Sequence, residues 1–193
     1  MGEIGIMDHI TMANQLKAAG IQFSDGLTEA EIQKIEKIYD IRFPESLRSF
    51  YRLGVPFSED ENEFPRWTDV SDANISKIKE RIQAPIKQLL FPIKKEDFWL
   101  SGWGKRAEST DEAIAQFMEI AMKAPRLIPI YSHRYVPQLD GVDDSPVISA
   151  VGRDIIYYGS NLHEYLRHEF LDKWHYTANC MYIPFWSDII EGM

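Results

Sequence analysis

Five histidines, one cysteine and a few adjacent acids are the side chains of this 193-residue sequence best equipped for chemistry. A helical metal site needs two imidazoles at i and i+4, so that both point from one face. His163 and His168 are five apart and His168 and His175 seven apart, so both spacings read as solvent-facing helix positions. His133, within Tyr131-Ser132-His133-Arg134-Tyr135, has hydroxyls and a guanidinium as neighbours just after an apolar run. That setting suits a buried, hydrogen-bonded histidine that fixes a loop better than a general base. Cys180 and His175 carry no local signature of a nucleophile pair, and the thiol reads as half-buried and inert. Asp143 and Asp144 follow a glycine in a turn, where paired acids are normally solvated. Gly102 and Gly104 flank Trp103 without the lysine and helix cap of a phosphate-binding loop. The residues therefore predict no catalytic constellation, no metal and no cofactor.

The elements that would position any site are easier to read. Thr28 and Glu31 have the spacing of a capping box, and Ile32, Ile35, Ile38 and Tyr39 continue as an apolar helical stripe. Pro44 suits the first position of a second helix, which turns Leu47, Phe50 and Tyr51 inward and stops at Gly54. A short amphipathic helix is expected over residues 8–19 and an exposed acidic loop over 55–63. Residues 64–70, containing Pro65 and Trp67, are read as an edge strand. Ile75, Ile78, Ile82, Ile86 and Leu89 recur at helical spacing, with Pro85 expected to break the helix and start another. Ser109 and Glu112 cap a further helix with Ile114, Phe117, Met118 and Ala121 inward, and Asn161 with Glu164 caps one more. Residues 127–131, 146–151 and 154–158 read as strands. The pattern is that of one α+β domain, a mainly antiparallel or mixed sheet packed with helices.

Composition narrows the function. Apolar residues make up 45% of the chain and five are tryptophans, enough for a substantial core. No run is long enough to cross a bilayer, and the opening MGEIGIMDHITM lacks the basic and apolar regions of a secretory signal. One cysteine fits a reducing compartment, so the expected location is the cytoplasm. A net charge of −9 argues against nucleic acid as partner, since phosphate binding needs clustered Lys and Arg. Between residues 59 and 72 lie six acids (Glu59, Asp60, Glu61, Glu63, Asp69, Asp72) against Arg66, and a second group sits at Asp140, Asp143 and Asp144.

The phrase RFPESLRSFY, with the two-helix opening around it, resembles the SUKH superfamily of fungal cell-wall synthesis regulators and bacterial immunity proteins. IKERIQAPIKQLLFPIKKEDFWLSGWG, APRLIPIYSHRYVP, SPVISAV, DIIYYGSNLHEYLRHEF and IPFWSD follow in the order of one bacterial branch. The resemblance implies a SUKH-like domain over 27–193, with residues 1–26 as a helical extension. It also implies a non-catalytic immunity protein that occupies a cognate toxin domain, often a nuclease. The alternative is an intracellular regulator or scaffold with endogenous partners, like the fungal members, but their long disordered flanks are not seen here. An acidic inhibitor suits a toxin with a basic surface, because complementary charge speeds encounter. The family assigns no binding residues, so charge and exposure nominate them: Glu59, Asp60, Glu61, Glu63, Asp69, Asp143 and Asp144, with Trp67 as aromatic anchor.

Overall fold

The computed structural model describes residues 2–60, 62–172 and 179–192, with side chains from residue 8 onward. Among them the order is α1 (Gly2–Ala18), β1 (Gln22–Ser24), α2 (Glu29–Tyr39), α3 (Glu45–Leu53), β2 (Val55–Phe57) and α4 (Asp72–Lys95). Then come α5 (Thr110–Ala121), β3 (Leu127–Tyr131), β4 (Arg134–Pro137), β5 (Val147–Val151), β6 (Asp154–Gly159), α6 (Leu162–Phe170) and α7 (Trp186–Glu191). The fold is α+β.

β3 to β6 form an antiparallel meander in chain order, and alternate side chains leave a strand on opposite faces. Ile128, Ile130, Val136 and Val147 enter one apolar cluster, while Leu127, Tyr135, Ile148 and Ile155 enter another. The sheet is thus sandwiched between two cores, which is why its strands read as unbroken apolar runs. The first cluster takes Ile32 and Ile35 from α2, Leu47, Phe50 and Tyr51 from α3, and Leu162 and Tyr165 from α6. The second takes Phe117 from α5, Trp103, Phe185, and Trp186 and Ile189 from α7. α4 serves both, giving Ile78 to the first and Leu89 and Ile93 to the second.

Several sequence expectations change here. α4 does not end at Pro85: it runs on through Pro92 to Lys95. Proline removes one helical hydrogen bond at a cost of about 3 kcal/mol, but both rings are buried and Ile78, Leu89 and Ile93 pin the helix on either side. Val55–Phe57, expected in a loop, pairs with β1 at Ser24↔Val55 and Gln22↔Phe57. Residues 64–70 form no strand. Their amides bond locally instead, Trp67 to the Pro65 carbonyl and Asp69 to that of Arg66. β4 went unread because it is short and ends in Pro137. Met118 of α5 points outward, not into the core.

Caps came through intact. Thr28 and Glu31 make the reciprocal capping box, Ser109 accepts from the Glu112 N–H, and Asn161 accepts from that of Glu164. An ion network ties α2 to α3: Arg52 bonds Glu29 and Glu45, each at 2.8 Å, while Arg48 reaches Glu29 and, at 2.9 Å, Glu36. Hydrogen bonds from Arg52 and then Arg48 hold the Glu29 carboxyl at about 2, below its ordinary 4.5. A depressed carboxylate contributes stability above its unfolded pKa and loses it as pH falls through the folded one. Glu29→Gln should therefore melt lower than the parent near pH 6, and the gap should close between pH 4.5 and 2. A gap independent of pH in thermal melts would rule the network out as its source.

α1 has a larger stake in the core. Met12 and Leu16 are fully buried beside α3 and α6. Leu16→Ala should lower unfolding free energy by about 3 kcal/mol in urea titrations. A loss under about 0.5 kcal/mol, as at surface positions, would mean that α1 is not part of the cooperative unit.

Candidate protein-binding surface

Residues 58–60 and 62–71 carry most of the nominated acids and form neither helix nor strand. Their conformation is imposed from below. Trp67 is 1% exposed, packs edge-to-face on Tyr39 and Phe43 at 5.4 and 5.2 Å, and donates its indole N–H to the Tyr51 hydroxyl at 3.2 Å. It is therefore a core residue and cannot serve as the exposed anchor. A large indole with a partner for its N–H gains far more from burial than from solvent. Phe64, also buried, lies against Tyr131 and Phe170.

Polar contacts fix the same segment. One terminal nitrogen of Arg81 donates to the Glu63 carbonyl at 3.1 Å and to the Ser132 carbonyl at 3.0 Å. The Ser132 N–H donates to the Glu63 carbonyl at 2.9 Å, and the Tyr131 hydroxyl to the Glu63 carboxylate at 3.2 Å. Burial, followed by the nearby Glu63 charge, pushes the Tyr131 phenol up to about 12, so it remains a donor at physiological pH. Arg66 donates to the Glu59 carbonyl at 3.1 Å, and the Asn74 side chain donates to the carbonyls of Arg66 and Asp69.

The nominated acids therefore divide by role. Glu63 is half-buried and committed to the fold, whereas Glu59, Asp60 and Asp69 are exposed. Asp60 and Asp69 each accept a backbone N–H two residues on, from Asn62 and Ser71, which holds their carboxylates outward. The Ser71 contact also keeps the Asp69 carboxyl below its usual range. Glu61 lies outside the described residues.

Asp143 and Asp144 are exposed but elsewhere. The Asp143 carbonyl accepts the Ser46 N–H at the start of α3, and the Asp144 carboxylate accepts the Leu162 N–H at the start of α6. Phe64 sits at the other end of α6, against Phe170. Nine helical residues put roughly 12 Å between the two places, so the acids form two patches and not one.

Asp144 borders a polar cleft of about 660 Å³ with His9, His163, Glu164 and His168. His168, expected to face solvent, is 4% exposed, with Nδ1 3.4 Å from the Tyr158 carbonyl and Nε2 3.8 Å from Glu164. The cleft is lined by imidazoles and carboxylates together with Asn161 and Arg167, with no serine, cysteine or lysine among its described residues. No group of three or more His, Cys, Asp or Glu among the described residues is placed to hold a metal ion. His133 is half-buried and bonded to the Ser132 hydroxyl at 3.0 Å, in the turn that Arg81 holds. The Cys180 thiol is pushed up to about 11, first by burial, and is a poor nucleophile; His175 lies outside the described residues.

The SMI1/KNR4 family (SUKH-1) matches residues 26–180. The chain belongs to that family. No curated protein and no solved structure matches it. The matched span of the SMI1/KNR4 domain begins after α1 and β1, although α1 supplies Met12 and Leu16 to its core. It includes Arg81, which sequence reasoning missed: a cation among others on α4 gives no signal that its partners are backbone carbonyls far along the chain.

Arg81→Met keeps the stem and removes the donors. The variant should lose about 2 kcal/mol of stability, the scale of hydrogen bonds to a charged group. Amide exchange should also quicken in residues 62–69 before it does in β5. Unchanged exchange there would show that the aromatic contacts hold the segment unaided.

Proposed function

We propose that this SMI1/KNR4-family protein is a non-catalytic, protein-binding immunity protein of the cytoplasm. It neutralises a cognate toxin domain, of the nuclease type, by covering a basic surface on it. The observation that carries the reading is the segment 58–71, with exposed carboxylates at Glu59, Asp60 and Asp69 on a backbone anchored at Trp67, Phe64 and Glu63. A preformed surface loses little conformational entropy on binding, and concentrated charge of one sign raises the on-rate. Family membership supports a binding role for the domain. Asp143 and Asp144 form a second patch that a large partner would reach from the other end of α6.

Neutralisation by occupation is stoichiometric. Co-expression with the toxin domain encoded beside it should restore growth only when the protein is at least equimolar, and an unrelated acidic family member should not substitute. Glu59→Lys with Asp60→Asn should keep the parent melting temperature, since exposed charges add little to stability. The same variant should associate about tenfold more slowly and lose most of the salt dependence. Rescue at catalytic ratios would overturn the inhibitor reading. An unchanged on-rate would move the contact away from this loop.

A further inference from the structure

α4 carries six cations and two acids in a chain of net charge −9. Lys79 and Lys87 stand on the face turned away from the Arg81 contact, and with Ile82 and Ile86 they border a groove of about 540 Å³. Its other wall is α5, through Met118 and Met122, which are 40% and 76% exposed. Two lone apolar side chains would be ordinary on a surface, but these line one concavity with apolar partners opposite. Arg126, at the rim, is paired with Asp40 at 2.7 Å, whereas Lys79 and Lys87 make no ion pair among the described residues.

We propose that the α4–α5 groove docks an acidic amphipathic helix of a partner protein. The apolar face of that helix lies on Ile82, Ile86, Met118 and Met122, and its carboxylates meet Lys79 and Lys87. Charge selects this occupant. The groove is lined by Lys79, Lys87 and Arg126 against one acid, Asp40, in a chain of net charge −9, so a negative segment is favoured there over the acidic patches. Spacing agrees: Lys79 and Lys87 lie two turns apart on α4, roughly 12 Å, which matches carboxylates at i and i+7 of a docked helix. Unbranched methionines adapt to such a face without a fixed complementary shape. A second copy of the chain is a poor occupant, because its acidic helix α2 already buries Ile32, Ile35 and Tyr39. Arg81, Glu59 and Asp60 are absent from the groove's lining, so this surface and the one in the toxin reading use different residues and adjoin only through Tyr39, which lines the groove and packs on Trp67.

Two synthetic helical peptides with the same leucine spacing, one flanked by glutamates and one by lysines, provide the test by fluorescence anisotropy on the full chain. The glutamate peptide should bind at least about tenfold more tightly at low salt and weaken as salt is added. Met122→Glu should reduce that affinity about tenfold with no change in melting temperature, because the side chain is exposed. Lys79→Glu with Lys87→Glu should invert the preference, and Glu59→Lys with Asp60→Asn should leave it intact. Equal binding of both peptides, binding of neither, or indifference to Met122→Glu would overturn the proposal. A parent dimer dissolved by Met122→Glu in sedimentation velocity would also overturn it, assigning the groove to a second copy.

Discussion

The guanidinium of Arg81 is half-buried between α4, the turn after β3 and the segment that follows β2. Burial draws its pKa down, yet guanidinium stays protonated in proteins and must find acceptors. It finds two carbonyls, and these belong to pieces of chain that share no ladder. A charged donor withdrawn from water sets a strict geometric condition on whatever surrounds it. The acidic segment is held at Glu63 because it supplies one of the two acceptors the arginine requires, the turn at Ser132 supplying the other. A segment of this kind, without helix or strand, is fixed by side chains reaching in from outside it.

The sheet imposes the complementary constraint. Four antiparallel strands with apolar groups on both faces must be covered twice. The chain solves this with α2, α3 and α6 on one face and α5 and α7 on the other, and α4 is the element common to both. That leaves α4 with one side against the core, one against the acidic segment and one toward solvent. The surfaces of opposite charge arise from a single helix whose faces have different neighbours.

Much of this was legible in the sequence. The capping motifs at Thr28, Ser109 and Asn161 are local in origin, requiring only three residues and a helix start. The apolar stripes of α2, α3 and α6 follow from periodicity alone. What was hidden depended on partners distant in the chain. Trp67, next to Arg66 and a run of acids, has the profile of an exposed anchor, and only Tyr39, Phe43 and Tyr51 draw it inward. Val55–Phe57 becomes a strand because β1 is there to pair with it. Pro85 signals a break by every local rule, and burial on both sides overrides the signal. The nominated acids fell into two patches because α6 separates them, a distance that no spacing along the sequence encodes.

Pro85 has one more consequence. Lacking an N–H, it leaves the Arg81 carbonyl without its helical donor, so the ladder of α4 is interrupted one turn after Arg81. The interruption falls between Ile78, which belongs to the first core, and Leu89, which belongs to the second. The helix nevertheless crosses that gap without ending, held in register by the burial of Ile78 on one side and of Leu89 and Ile93 on the other, so side-chain packing stands in for the bond the proline cannot make.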